Sequence, residues 1–114
     1  MSGRSLVPGA LAIACSVEND GVSLSLEGEL DLATATALEE RLGELEDSGC
    51  THLTVDLAGL DFIDSTGLRV LIQASARAEE RGHELVLLPA RESVQRVFEV
   101  TGTLRALHFA LSLV

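Results

Sequence analysis

The side chains of this sequence that could do chemistry are concentrated in one short segment, DFIDSTG, residues 61–67. Asp64 is followed directly by the hydroxyls of Ser65 and Thr66, and then by Gly67. A hydroxyl in such a segment can cap a helix, act as a nucleophile or accept a phosphate. Two further features help to decide among these three roles. They are the elements that flank the segment and the residue types that are missing from the rest of the chain.

A strand pattern precedes the segment and a helix pattern follows it. THLTVDLAG, residues 51–59, alternates apolar and polar residues, which predicts a strand. LRVLIQASARAEERG, from Leu68, starts apolar and becomes charged, which predicts a helix that is covered first and solvated later, ending at Gly82. In open α/β folds, ligands and partners meet the loops at the carboxyl ends of strands. We therefore expect residues 61–67 to form such a loop.

The rest of the chain predicts one α/β domain. Residues 11–17 and 22–27 alternate with strand period around the turn sequence Asn19-Asp20-Gly21, which predicts an antiparallel hairpin. Further patterns predict an amphipathic helix before Gly49, a buried strand over 83–89, a helix over 90–102 and a last short strand near the end. Strand, helix and strand with short links form a right-handed crossover between parallel strands. The sequence thus predicts a mixed sheet of about five strands, with helices mainly on one face.

A second polar loop follows the predicted hairpin, in GELDLAT. Asp31 and Thr34 are candidate caps for the first helix. We expect this loop and DFIDSTG to lie side by side at the carboxyl ends of neighbouring strands. The domain is predicted to span residues 11–114, after a flexible N-terminal arm over residues 1–10.

Composition excludes several classes of function. The formal net charge of −10 disfavours binding to nucleic acid or to an anionic membrane surface, and favours a protein partner with a basic patch. There is no lysine, which excludes Schiff-base chemistry and a Walker-type phosphate loop. Cys15 and Cys50 are isolated and predict reduced, buried thiols in a cytoplasmic protein. The scattered histidines, His52, His83 and His108, predict no metal site, and we expect no cofactor.

Three segments, in this order, resemble the STAS domain family, and specifically its bacterial anti-sigma factor antagonists. GELDLATA, residues 28–35, is similar to the start of the family's first helix. LDFIDSTGLRVLI, residues 60–72, resembles its apolar-Asp-Ser-Ser/Thr-Gly-Leu segment, and VQRVFEVTG, residues 94–102, resembles a segment of its third helix. The likeness extends over about residues 11–111.

The resemblance implies a partner-switching regulator, not an enzyme. Such proteins bind an anti-sigma factor that is a serine kinase and thereby free the sigma factor. The kinase phosphorylates the first hydroxyl of the motif, and a serine phosphatase removes the phosphate. By position the acceptor is Ser65, with Thr66 as the alternative. The expected partner contacts of this monomeric protein are Asp31, Thr34, Asp64, Thr66, Gly67, Leu68 and Arg69.

Ser65 has two possible roles, as a helix N-cap and as a phosphoacceptor, and Asp64 is a candidate for the same cap. We expect a phosphate on Ser65 to meet unpaired N–H groups at the start of the helix. A phosphate on Ser65 is then predicted to spoil an interface, since it adds about −1.5 to −2 charge, and to leave folding nearly unchanged.

Two other classes of protein are disfavoured by the sequence, and a third remains open. A serine hydrolase is disfavoured because the G-x-S-x-G elbow is missing. A phospho-aspartate receiver is disfavoured because the chain has no lysine. A STAS scaffold that binds partners without being modified remains open.

Overall fold

The computed structural model describes residues 9–110. In chain order the elements are β1 (Leu11–Glu18), β2 (Gly21–Leu30), α1 (Ala35–Asp47), β3 (His52–Ile63), α2 (Ser65–Arg81), β4 (Glu84–Leu88), α3 (Glu92–Val100) and a 3-10 turn (Leu104–Ala106). Within residues 9–110, no helix combines the length and hydrophobicity that crossing a membrane requires.

The four strands form one mixed sheet in the order β1-β2-β3-β4. β1 pairs antiparallel with β2, while β2–β3 and β3–β4 are parallel. The predicted hairpin is confirmed, and Asn19 and Asp20 form its loop because Glu18 pairs with Gly21. Cys15 is exposed on β1, the edge strand, so its predicted burial is wrong.

The two ends of the chain are described only in part. The expected fifth strand is seen as a single parallel bridge between Leu87 and Phe109, and residues 111–114 lie outside the described range. Most of the expected N-terminal arm, residues 1–8, also lies outside it. Ala10 is bound to the sheet, because its carbonyl accepts a hydrogen bond from the Glu29 N–H at 3.0 Å.

The core lies between the helices and one face of the sheet. Alternate strand residues such as Leu24 and Leu26 of β2 and Val55 and Leu57 of β3 are fully buried. The residues between them point to the other face, where Ser25 is exposed. The core side chains are mainly aliphatic: Leu24, Leu26, Leu30, Leu38, Leu42, Val55, Leu57, Leu60, Leu71, Leu87 and Phe98 are the largest that are fully buried.

β3 is longer than the sequence predicts, ending at Ile63 and not near Gly59. Its pairing with β2 shifts register between Ser25 and Glu27 and again between Gly28 and Glu29. The shifts break strict alternation, and a period-2 pattern cannot detect a strand that continues past them. The connection between β3 and α2 is therefore one residue, Asp64, and not the seven-residue loop that we expected.

Candidate functional site: the carboxyl ends of β2 and β3

The two polar loops meet at one edge of the sheet, as predicted. The Asp64 N–H donates to the carbonyl of Leu30, the last residue of β2, at 3.1 Å. In return, the Leu32 N–H donates to Asp64 Oδ2 at 3.1 Å. Backbone and side chain of Asp64 thus join the end of β3 to the loop between β2 and α1.

Asp64, not Ser65, caps α2. Its Oδ1 accepts hydrogen bonds from the N–H groups of Thr66 at 2.9 Å and Gly67 at 3.0 Å. Its backbone is extended, as expected of a residue that precedes a helix. Ser65 is the first helical residue, so the interpretation of Ser65 as an N-cap is wrong.

The Ser65 side chain is exposed and makes no hydrogen bond to any residue within 9–110. The adjacent N–H groups of Thr66 and Gly67 are already bonded to Asp64. The expectation that a phosphate on Ser65 would meet unpaired N–H groups is therefore wrong for these two groups. Asp64 already occupies the position that an anion would take there.

Gly67 and Leu68 lie beneath the site. A Cβ on Gly67 would come within 2.7 Å of Leu30 Cγ and 2.8 Å of the Leu30 carbonyl oxygen. Leu68 is 5% exposed and belongs to the core. Both residues let α2 pack closely on the end of β2, and little of either is available to a partner.

Asp31 and Thr34 hold the second loop in shape. Asp31 Oδ1 accepts from the N–H groups of Ala33 at 3.0 Å and Thr34 at 3.2 Å. The Thr34 hydroxyl donates to the Glu29 carbonyl at 2.8 Å and accepts from the Asp31 N–H at 3.0 Å. Thr34 occupies the N-cap position of α1 but makes no side-chain capping bond. The predicted capping of α1 by these side chains is thus wrong, because both stabilise the turn before the helix.

The remaining predicted contact residues differ in exposure. Thr66 is half-buried, and Arg69, one helical turn after Ser65, is exposed. Arg69 forms no ion pair with any residue between 9 and 110. In the same range, no group of three His, Cys, Asp or Glu side chains is placed to hold a metal ion.

Two exposed apolar residues and one ion pair at this edge were not predicted from the sequence. Leu32 is 76% exposed and Phe62 is 48% exposed. Asp61 Oδ1 lies 2.9 Å from Arg91 Nη1, which connects the end of β3 to the start of α3. The residue types alone could not reveal this, since exposure of Phe62 depends on the register shifts and Arg91 is distant in sequence.

Comparison with known proteins agrees with this fold. The STAS domain family matches residues 14–114. The anti-sigma-F factor antagonist RsfB of Mycobacterium tuberculosis is 37% identical over 90 residues, covering 78% of this chain and 71% of the relative. The putative anti-sigma factor antagonist BtrV of Bordetella bronchiseptica is 36% identical over 86 residues, or 75% of this chain and 74% of the relative.

A crystal structure of an anti-sigma factor antagonist from Mycobacterium paratuberculosis superimposes with a TM-score of 0.79 at 24% identity. The match covers 94% of this chain and 91% of that one, and shows a common fold. The fold and the family match together define the class of protein. This chain belongs to the STAS domain family.

Proposed function

We propose that this protein is an anti-sigma factor antagonist controlled by phosphorylation of Ser65. In the unphosphorylated state it binds an anti-sigma factor that is a serine kinase, and so frees a sigma factor. The proposal rests on the exposed Ser65 hydroxyl at the start of α2, to which no residue within 9–110 is hydrogen-bonded. The names of RsfB and BtrV, both antagonists of anti-sigma factors, support the same role.

Ser65 is a better phosphoacceptor than Thr66 because of its exposure. Ser65 is exposed at the first position of α2, whereas Thr66 is half-buried at the second. A kinase must reach the hydroxyl oxygen, and the more accessible side chain needs less local rearrangement. Neither hydroxyl is hydrogen-bonded to a residue within 9–110, so exposure is what separates the two.

The chemistry of the switch is electrostatic. A phosphate on Ser65 adds about −1.5 to −2 charge next to the Asp64 carboxylate. An exposed phosphate stays hydrated in the free protein, so the fold loses little. In a complex that covers this surface, the same charge must leave water, which costs several kcal/mol without a matching cation. A penalty of this size weakens binding about a hundredfold or more.

The contact surface in this proposal consists of Ser65 and Arg69, which are exposed, and of Asp31 and Thr66, which are partly exposed. Asp64, Thr34, Gly67 and Leu68 support it from within the domain. A serine phosphatase resets the switch by removing the phosphate. The protein acts in the cytoplasm as a monomer and catalyses no reaction itself.

Phosphate mapping after incubation with the cognate kinase and ATP tests the proposal. Trypsin releases residues 42–69 as one peptide, because no arginine or lysine lies between Arg41 and Arg69. Fragmentation of this peptide should place the phosphate on Ser65. Ser65→Ala should abolish modification, while Thr66→Ala should retain it.

Each other outcome has a definite meaning. If the protein binds the anti-sigma factor but neither Ser65 nor Thr66 is modified, the protein is a STAS scaffold that binds its partner without being phosphorylated. Phosphate on Thr66 alone would reject the assignment of Ser65 while preserving the switch.

A further inference from the structure

Two large apolar side chains at the site, Leu32 and Phe62, are exposed to solvent. Among residues 9–110, the exposed large hydrophobic residues are Val17, Leu32, Phe62, Val100 and Leu104. Single exposed apolar residues are common on protein surfaces and need no explanation. Two of these five, however, lie beside Asp64: Leu32 in the loop after β2, and Phe62 near the end of β3, two residues before Asp64.

The structure holds both apolar residues close to Ser65. The main chain of Leu32 is bonded to the carboxylate of Asp64, the residue directly before Ser65. Phe62 is the penultimate residue of β3 and pairs with Glu29 of β2. The next pair, Leu30 and Ile63, is buried in the core. Because neighbouring strand residues point to opposite faces, Phe62 faces away from the core.

A charged residue adjoins each of these apolar residues in the chain. Asp61 and Arg91 form an exposed ion pair at 2.9 Å, and Asp31 lies in the same loop as Leu32. Apolar side chains inside a polar rim are the usual anatomy of a protein–protein interface. The few residues that dominate binding tend to lie near the centre of such a surface, in well-packed pockets from which water is excluded.

We propose that Leu32 and Phe62 are the anchors by which the unphosphorylated protein binds the anti-sigma factor. This inference rests on the proposed function and adds the residues that supply most of the affinity. The partner surface that fits has apolar pockets for the two side chains and basic residues around them.

Charge selects this occupant over a second copy of the chain. Because the formal net charge is −10, two copies of the chain repel each other. The same charge repels the protein from nucleic acid and from an anionic membrane. A basic protein surface is attracted instead. The position of Ser65 beside the anchors explains the switch, because a phosphate there forces a hydrated charge into the centre of the contact.

Binding of the anti-sigma factor to single variants tests the anchors. Leu32→Ala and Phe62→Ala should each weaken binding by at least about tenfold, as truncation of a central anchor does. Val17→Ala and Val100→Ala are matched controls, since these apolar residues are also exposed, at 81% and 75%. Val17 lies at the hairpin end of β1, and Val100 is the last residue of α3. The controls should bind within about twofold of wild type, as expected for residues outside an interface.

Further variants separate packing from binding. Phe62 is partly covered, so Phe62→Leu, which keeps an apolar side chain, should recover much of the affinity that Phe62→Ala loses. Thermal melts of all variants should show that each is folded at the binding temperature.

The possible results distinguish this inference from the proposed function. If wild type binds and the Leu32 and Phe62 variants bind as tightly as the two controls, the anchors are rejected and the antagonist role stands. If wild type fails to bind the cognate anti-sigma factor, both are rejected.

Discussion

At the scale of single residues, one carboxylate organises the site. Asp64 accepts three N–H hydrogen bonds, two from the first turn of α2 and one from Leu32 in the neighbouring loop. The first two begin the helix, and the third fixes the second loop relative to Ser65. Asp64 therefore has a structural role and a positioning role, and the two can be separated by substitution.

Asp64→Asn should keep the helix cap and break the link to Leu32. Asparagine caps helices about as well as aspartate, but its amide nitrogen cannot accept the Leu32 N–H. We expect the free energy of unfolding to fall by less than about 1 kcal/mol, and binding of the anti-sigma factor to weaken several-fold. Asp64→Ala removes both functions and should cost about 0.5–2 kcal/mol for the cap alone.

Chemical denaturation and binding titrations of both variants check this prediction. Equal stability of the Asn and Ala variants would show that the cap contributes nothing. Wild-type affinity in Asp64→Asn would show that the bond to Leu32 does not position the loop.

The residues of this site were predictable from the sequence, but which residue has which role was not. Asp64 and Ser65 are both residue types that cap helices well. Asp64 is the cap because β3 ends at Ile63 and α2 begins at Ser65. Likewise, Leu32 and Phe62 are apolar residues within the motifs that resemble the family, and the sequence does not show that they are exposed. The turn after β2 exposes Leu32, and the register of β3 exposes Phe62.

At the scale of elements, the close approach of α2 to β2 positions the phosphoacceptor. A Cβ on Gly67 would collide with Leu30, including its carbonyl oxygen, which belongs to the paired end of β2. That backbone cannot move without disturbing the sheet. The start of α2 is therefore placed by contact between a glycine and a strand end.

Gly67→Ala should destabilise the domain by about 1–3 kcal/mol, the usual cost of overpacking a tight contact. Gly43→Ala is the matched control, because a Cβ at Gly43 meets nothing within 4 Å and the residue lies inside α1. This control should gain about 0.5–1 kcal/mol from the better helix propensity of alanine. Urea denaturation of the two variants measures both effects, and equal values for the two would reject the close-packing account.

Element types were predictable from the sequence, while one boundary was not. The strand and helix patterns predicted α2, its stop at Gly82 and the buried strand β4 because periodicity and the terminal glycine agree there. The last four residues of β3 were missed because the two register shifts in its pairing with β2 abolish alternation.

At the scale of the whole molecule, the negative charge governs encounters. A formal net charge of −10 attracts a basic partner over distances longer than any contact. Attraction of this kind raises the association rate and is screened by salt.

Association with the anti-sigma factor should slow markedly as ionic strength rises. We expect the rate constant to fall about tenfold or more between low salt and about 0.5 M salt, with a smaller change in the dissociation rate. Stopped-flow mixing over a salt series measures this. An association rate that is independent of salt would contradict charge steering.

In the proposed switch, a charge on Ser65 ends binding of the anti-sigma factor without unfolding the domain. The most direct test compares phosphorylated and unphosphorylated protein by calorimetric titration with the anti-sigma factor, together with a thermal melt of each. We expect at least about a hundredfold weaker binding after phosphorylation. The two melting temperatures should lie within about 4 °C of each other, a change of less than about 1 kcal/mol in the free energy of unfolding. Unchanged affinity, or a large drop in melting temperature that accompanies the loss of binding, would contradict it.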